Sequence, residues 1–561
     1  MPRLQPIHHA LRVFALGGLV ACGNVSHEAP ADLVVYGRIW TGDSAAPWAA
    51  ALAISGDPVR AVGDSASIAS LVGSATRVLA NGAAMVVPGF MDGHVHFTDG
   101  GFQLGNVDLR PANTPEEFIA RLKAFAAERW PGEWILGGNW DHERWPGAPL
   151  PRREWIDSVT PHNPVFVYRL DGHMGLANSA ALRAAKVSRA TRDIAGGVIV
   201  RDPRSGEPTG LLKDMAMGPV ERAVPVPTDQ QRDAALRRAL AFAASKGVTA
   251  FAHLSSSEAP PDLGTYLRAK AAGVLTARVA LYFPLETWRA VADTIAAIGR
   301  GDDWVWIGGV KGYMDGSLGS TTALFYAPYD DDPTTSGLLR TPEDSLRAWI
   351  GAADSAGLQV AVHAIGERAN GLVLEIYDSV ARAHGTRDRR FRIEHAQHLR
   401  RQDLDRLARS GVIASMQPYH LIDDGRWAQK RIGPERIKNM YAFRSLLDRK
   451  AHLAFGSDWP VAPMDPLLGI YAAVTRRTLD GKHPGGWVPE QKISVEEALR
   501  AYTSGDAYGV FAERTRGRLA PGYKADLVLL DQDLMRIAPE AIERVAVRAT
   551  VVGGRVVYQS K

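Results

Sequence analysis

The feature that most narrows the fold is an alternation. The apolar runs "AAMVVPGFMDGHVH", "GVTAFAHL", "LTARVALYF", "VWIGGVKGYMDG", "LQVAVHAIG", "RFRIEHAQHL", "GVIASMQP" and "AHLAFGSDWP" are all short. Helix-like stretches such as "DQQRDAALRRALAFAASK" and "PEDSLRAWIGAADSAG" lie between them. Strands joined by helical crossovers run parallel, and eight such units predict an α/β chain with a closed (β/α)8 TIM barrel over residues 87–505. A long excursion, about residues 98–235, interrupts the first unit and carries Trp130, Trp134, Trp140, Trp145 and Trp155. It reads as an insertion that roofs the barrel mouth. Both flanks are β-rich, from "ADLVVYGRIWTG" to "ATRVLANGAAMVVPGF" and from "GRLAPGYKADLVLLDQD" to "VRATVVGGRVVYQSK". Neither is large enough for a core of its own. Residues 31–86 and 506–561 are therefore predicted to meet in one small composite β-sandwich.

The first two dozen residues differ in kind. Arg3 and Arg12 precede a short apolar run from Val13 to Ala21, the pattern of a secretory signal and too short to span a membrane. Leu19-Val20-Ala21-Cys22 resembles a bacterial lipobox, and Cys22 is the one cysteine in the chain, so no intrachain disulfide forms. The reading is a signal peptide over residues 1–21, an acylated Cys22 and a tether over residues 22–30. Two acyl chains would anchor the protein on the exported side of a membrane, periplasmic or cell-surface. A net charge of +4 on 561 residues, with no dense Lys/Arg block, argues against a nucleic-acid partner. A homodimer is left open.

The polar residues fall where a barrel keeps its chemistry. Strand 1 ends in His94 and His96, strand 4 carries Lys311, strand 5 ends in His363, strand 6 in His395 and strand 8 in Asp458. Barrel active sites gather at the carboxyl ends of strands. Alternate residues share a face, so His94 and His96 both point to the lumen. Each has an ordinary structural use when taken alone: a rim histidine, a turn-forming aspartate, a snorkelling lysine. As a set, histidines at three strand ends and an aspartate at a fourth match the ligand preferences of Zn²⁺, Fe²⁺ or Mn²⁺.

His94-X-His96 with Lys311, His363, His395 and Asp458 resembles the amidohydrolase superfamily in its binuclear-metal arrangement. "KGYMDGSLGSTTALFYAPY", "VHAIGERAN", "RIEHAQHL", "SMQP" and "FGSDWPV" look like amidohydrolase family 3, which includes N-substituted formamide deformylases. "PGYKADLVLLD" and the terminal "VVGGRVVY" extend the resemblance over most of the mature chain. It implies two divalent metals, zinc before iron or manganese. His94, His96 and Asp458 would hold one, His363 and His395 the other, and Lys311 would bridge them. An ammonium has no lone pair to offer a cation. The family's solution is a lysine carboxylated by CO₂, and burial favours the neutral amine that reacts. An unmodified Lys311 beside one metal is the alternative.

By the same resemblance, hydroxide shared by the metals attacks a carbonyl, and Asp458 takes its proton and passes it to the leaving nitrogen. In "YRLDGHMGLANSAAL", His173 is a candidate to bind the carbonyl oxygen or oxyanion, with a loop histidine bonded to backbone as the alternative. Asp171 and Asn178 read as loop-shaping. Trp140, Asp141 and Trp145 read as lining a substrate pocket, or else as packing inside the insertion. His253 is left out of the ligand set, and Gln397 and His398 read as supports behind it. Thr321 stands where relatives commonly carry arginine, and "FAHL" ends strand 2 without their frequent acidic residue, which bears on substrate. The expected activity is hydrolysis of a C–N bond in a small-molecule linear amide or N-substituted formamide. The alternatives are a cyclic-amide or carboxylic-ester hydrolase on the same site, or a catalytically decayed, lipid-anchored binding protein.

Overall fold

The computed structural model describes residues 29–255 and 259–560. Cys22, the signal peptide and most of the tether lie outside the described residues.

Barrel strands 1–8 are Phe90–Val95, Val248–Leu254, Arg278–Pro284, Val305–Tyr313, Gln359–Ala364, Arg392–His395, Ile413–Met416 and His452–Phe455. They form one parallel sheet in sequence order. Strands 1, 2 and 5 are buried along their whole length, because one face meets the lumen and the other meets the helices. That is why they read as near-continuous apolar runs. The helix Asp229–Ser245 opens on a capping box between Thr228 and Gln231, which is worth about 1 kcal/mol. Its buried Leu236, Ala239, Leu240 and Ala243 join the main core.

Closure happens just past the strands. Asp458 N–H donates to His94 C=O at 2.7 Å, and His96 N–H donates to Trp459 C=O at 2.8 Å. Gly456 permits this approach, since a Cβ there would lie 2.4 Å from His94 N. Strand 8 is thus joined to strand 1 through residues that carry the candidate chemistry.

The apolar run "AAMVVPGF" breaks at Gly89. Its first half ends the strand Arg77–Pro88 of a second sheet, and its second half begins the barrel. A Cβ on Gly89 would fall 2.1 Å from Thr249 Oγ1 at the foot of strand 2. The second sheet unites the flanks as expected, with Leu527–Leu530 antiparallel to Arg77–Pro88. Hydrogen bonds join all seven of its strands into one continuous sheet, in place of the two facing sheets of a sandwich. Bulges near Gly37 bend it, so Leu33, Val35, Leu52, Val86, Leu527 and Val551 share one core.

The insertion has a six-stranded sheet of its own, from Val107–Asp108 to Pro208–Asp214. The insertion borders the cavity through residues such as Asn139, Arg169 and Met217, but most of its tryptophans do not take part. Trp140 and Trp145 stack with centroids 6.1 Å apart and pack on Phe118 inside the insertion, while Trp130 is 82% exposed. An excursion of this size needs its own apolar core, and the tryptophans supply it. Of the five, only Trp134 reaches the cavity beneath.

Candidate metal centre and substrate cavity

His94, His96, Lys311, His363, His395 and Asp458 all line one cavity of about 1230 Å³ at the carboxyl ends of the strands. His94 Nε2 lies 3.2 Å and His96 Nε2 3.5 Å from Asp458 Oδ1. Ligand atoms of His94, His395 and Asp458 fall within 4.8 Å of one another. The His395 ring is 4.9 Å from that of His94 and 4.5 Å from that of His363, centroid to centroid. His363 Nε2 donates to Gly316 C=O at 3.0 Å, which leaves the lone pair on Nδ1. Two of these residues hold unusual backbone: His395 has φ 74° and Asp458 φ 59°. Such conformations cost on the order of 1–3 kcal/mol each and collect at functional sites.

Other residues aim the ligands. Glu394 Oε2 holds His94 Nδ1 at 2.7 Å, and Arg392 Nε holds the other oxygen of Glu394 at 2.7 Å. Burial alone would raise the Glu394 pKa, but Arg392 and His94 more than offset it and keep the carboxylate ionised. His395 Nδ1 meets Gln417 Oε1 at 2.7 Å. The remaining Nε2 of His94 is turned toward Asp458, and His395 lies in the same cluster. This pattern, a carboxylate or amide oxygen behind each imidazole, is what fixes tautomer and direction in metal sites.

The donor set fits a divalent cation. His94 Nε2 and Lys311 Nζ are buried with no hydrogen-bond partner among the described residues. Lys311 is 2% exposed, and burial pulls its pKa down to about 8. Leaving such groups unsatisfied is costly unless a further partner completes the site.

On the insertion side, His173 Nδ1 lies 2.6 Å from Asp214 Oδ1, and its ring is 4.9 Å from His363. Asp171 accepts from Arg169 at 2.7 Å, Ser317 at 2.5 Å and Ser320 at 3.0 Å, tying the insertion to the loop after strand 4. Asn178 caps the helix Ser179–Ala184 and accepts from Val165 N–H at 3.0 Å. The lining expected of Trp140, Asp141 and Trp145 is corrected: none of them borders the cavity. Trp140 Nε1 donates to Val167 C=O at 2.9 Å within the insertion core. Asp141 stands behind the wall and accepts from Arg169 at 3.1 Å and Arg426 at 2.8 Å. It is Arg169 that faces the cavity. His253 accepts from Phe97 N–H at 3.0 Å and contacts Asp262, so its place is outside the ligands. Gln397 donates to Asp424, and His398 donates to Ile365 C=O.

Sequence reasoning passed over Glu394, Gln417, Asp214 and His420. His420 lines the cavity with Nε2 4.0 Å from Asp458 Oδ2. A signal existed for two of them, since Glu394 directly precedes His395 and His420 lies just beyond "SMQP". Asp214 had none, because it meets His173 only through strand pairing inside the insertion.

Residues 80–558 match the amidohydrolase family. The chain belongs to that family. This amidohydrolase is 41% identical over 536 residues to Protein LONG AFTER FAR-RED 3 of Arabidopsis thaliana, covering 94% of this chain and 91% of the relative. It is 26% identical over 548 residues to N-substituted formamide deformylase of Arthrobacter pascens, covering 94% and 98%. Its fold matches an uncharacterized metal-dependent hydrolase of Pyrococcus horikoshii OT3 with TM-score 0.72 and 31% identity, over 90% of this chain and 99% of that one. The amidohydrolase is thus a metal-dependent hydrolase built on the barrel of its superfamily, with a His/His/Asp cluster fit for a metal.

Proposed function

We propose that this amidohydrolase cleaves the C–N bond of a linear amide, foremost an N-substituted formamide, at a centre of two divalent ions, foremost zinc, bridged by a carboxylated Lys311. The observation that carries the reading is Lys311 itself, a buried amine without a hydrogen-bond partner among the described residues, set over the Tyr313 ring and beside four histidines and an aspartate. His94, His96 and Asp458 would hold one ion, and His363 and His395 the other. When bound, the cations supply an activated water and a polarised carbonyl. Asp458 accepts the proton of the attacking water and hands it to the leaving nitrogen. The histidines around it keep it ionised despite burial. The insertion covers the cavity and limits bulk water during the step. The formamide choice draws support from the Arthrobacter pascens relative.

The test is elemental analysis of the purified full-length chain together with formate release from formanilide. Two equivalents of zinc, iron or manganese with turnover agree with the reading. One equivalent makes the centre mononuclear and removes the bridge. No metal after reconstitution in bicarbonate sinks the reading. ¹³CO₂ uptake, seen as a carbamate signal lost in Lys311→Ala, tests the bridge separately. The proposal extends to the N-terminus, where Cys22 would carry the lipid and hold the enzyme on the exported side of a membrane. Labelling with palmitate that persists in Cys22→Ser would refute that part.

A further inference from the structure

Arg340 borders the cavity with its charge unmatched. Among the described residues its side chain makes no hydrogen bond and no ion pair, and its one recorded contact is with a ring. The guanidinium carbon lies 3.9 Å from the centroid of Tyr313. The other charges of the cavity are provided for. Arg169 holds Asp141 and Asp171, and Glu221 accepts from the Tyr168 hydroxyl at 3.1 Å. Arg222 and Glu286 border the cavity but are exposed, where water serves them, whereas Arg340 is half-buried.

The position of Arg340 is fixed by the chain that follows strand 4. Its N–H donates to Met314 C=O at 2.9 Å, and Leu339 before it bridges to Asp315. Tyr313 carries the guanidinium on one side of this joint and meets the candidate centre on the other. Its ring centroid is 5.3 Å from that of His363 and 4.6 Å from Lys311 Nζ. Between Lys311 and Tyr313 stands Gly312, whose Cβ, if present, would fall 2.7 Å from Leu285 and 3.1 Å from Leu346. Both leucines line the cavity, as does Trp349. A molecule reaching from the centre to Arg340 therefore crosses an apolar wall and ends at a cation.

Stacking on a ring occupies the face of a guanidinium and leaves its N–H donors, which lie in the plane, free to bind. Two parallel N–H groups match the two oxygens of a carboxylate, a fit that a lysine does not offer. We infer that Arg340 is a specificity residue that clasps a carboxylate on the substrate, so the site favours amides that carry an acid beyond an apolar spacer over neutral amides. The inference rests on the amide reading above and deepens it. A formamide has only hydrogen on its acyl side, so the acid belongs to the leaving amine.

The experiment uses the full-length, zinc-loaded enzyme with formanilide and 4-formamidobenzoate, which differ by one carboxylate, on wild type, Arg340→Met and Arg340→Lys. The readout is the ratio of kcat/KM for the acid to kcat/KM for formanilide. Comparing that ratio between enzymes cancels the intrinsic reactivity of the two probes. The ratio should fall about 10- to 100-fold in Arg340→Met, with Arg340→Lys between the two because it keeps the charge and loses the fork. An unchanged ratio in Arg340→Met, whether both rates fall together or neither does, overturns the inference and leaves the amide reading standing. So does a wild type that cleaves formanilide and refuses the acid. If wild type cleaves neither probe the amide reading falls, and calorimetric binding of 4-formamidobenzoate then decides the clasp by itself. Affinity about 10-fold weaker in Arg340→Met than in wild type supports it, and equal affinity, or no binding to either, overturns it.

Discussion

Asp458 has one carboxylate and several neighbours that compete for it. His94 and His96 approach one oxygen and His420 the other, while its own N–H is bonded to His94. Asp458→Asn keeps an oxygen donor in place and removes the base, so kcat on formanilide should fall about 10²- to 10⁴-fold with metal content largely kept. Unchanged kcat would end its role as proton carrier. Glu394→Gln separates orientation from ligation, because Gln cannot hold His94 as a carboxylate does and leaves Arg392 without its counter-charge. Zinc affinity measured by chelator competition should weaken about 10- to 100-fold. At this scale the clustering of the candidate ligands was legible because strand ends and the two-residue period place them without knowledge of contacts. Asp214 was not, since nothing in its neighbourhood marks a partner on another strand. Trp140 misled for a related reason: a count of aromatic residues does not distinguish a cavity wall from a core.

Among the elements, the joint between strands 8 and 1 bears most on the site. It depends on Gly456, whose missing side chain lets the two backbones meet. Gly456→Ala pushes on His94 N, a backbone atom that cannot rotate away. The expected cost is about 1–3 kcal/mol, read as a lower Tm, and a loss of bound metal that Gly485→Ala, with nothing near its Cβ, does not share. A full metal complement in Gly456→Ala would show that closure and ligation are independent. The eight strands were readable because burial on both faces makes each a compact apolar run. The break at Gly89 was not, since its cause is Thr249, remote in sequence. Nor was the single bent sheet of the flanks, because bulges leave no mark in composition.

Over the whole molecule, the insertion is fastened to the barrel by buried charge. Arg426 reaches Asp141 at 2.8 Å, Arg431 reaches Glu143 at 2.7 Å, and Asp171 takes Ser317. Asp141→Ala strips Arg169 and Arg426 of a shared partner. Removing one side of a buried pair costs on the order of 3–5 kcal/mol, and here the loss should appear first as faster hydrogen exchange over residues 107–214. Equal acceleration in the barrel strands would mean that the insertion does not open by itself. The two ends of the described chain are likewise held together, since Leu33–Trp40 and Val547–Val552 belong to one sheet.

The joint at Gly456 also has a meaning in time. A ribosome delivers His94 and His96 early and Asp458 only after the other seven barrel strands have been made. Until strand 8 docks, the earlier histidines have no aspartate opposite them and the barrel has no seam. A stalled or clipped chain therefore lacks both the last donor and the backbone bonds that aim the first ones. Firm capture of metal at this cluster would therefore have to wait until strand 8 has been made and docked.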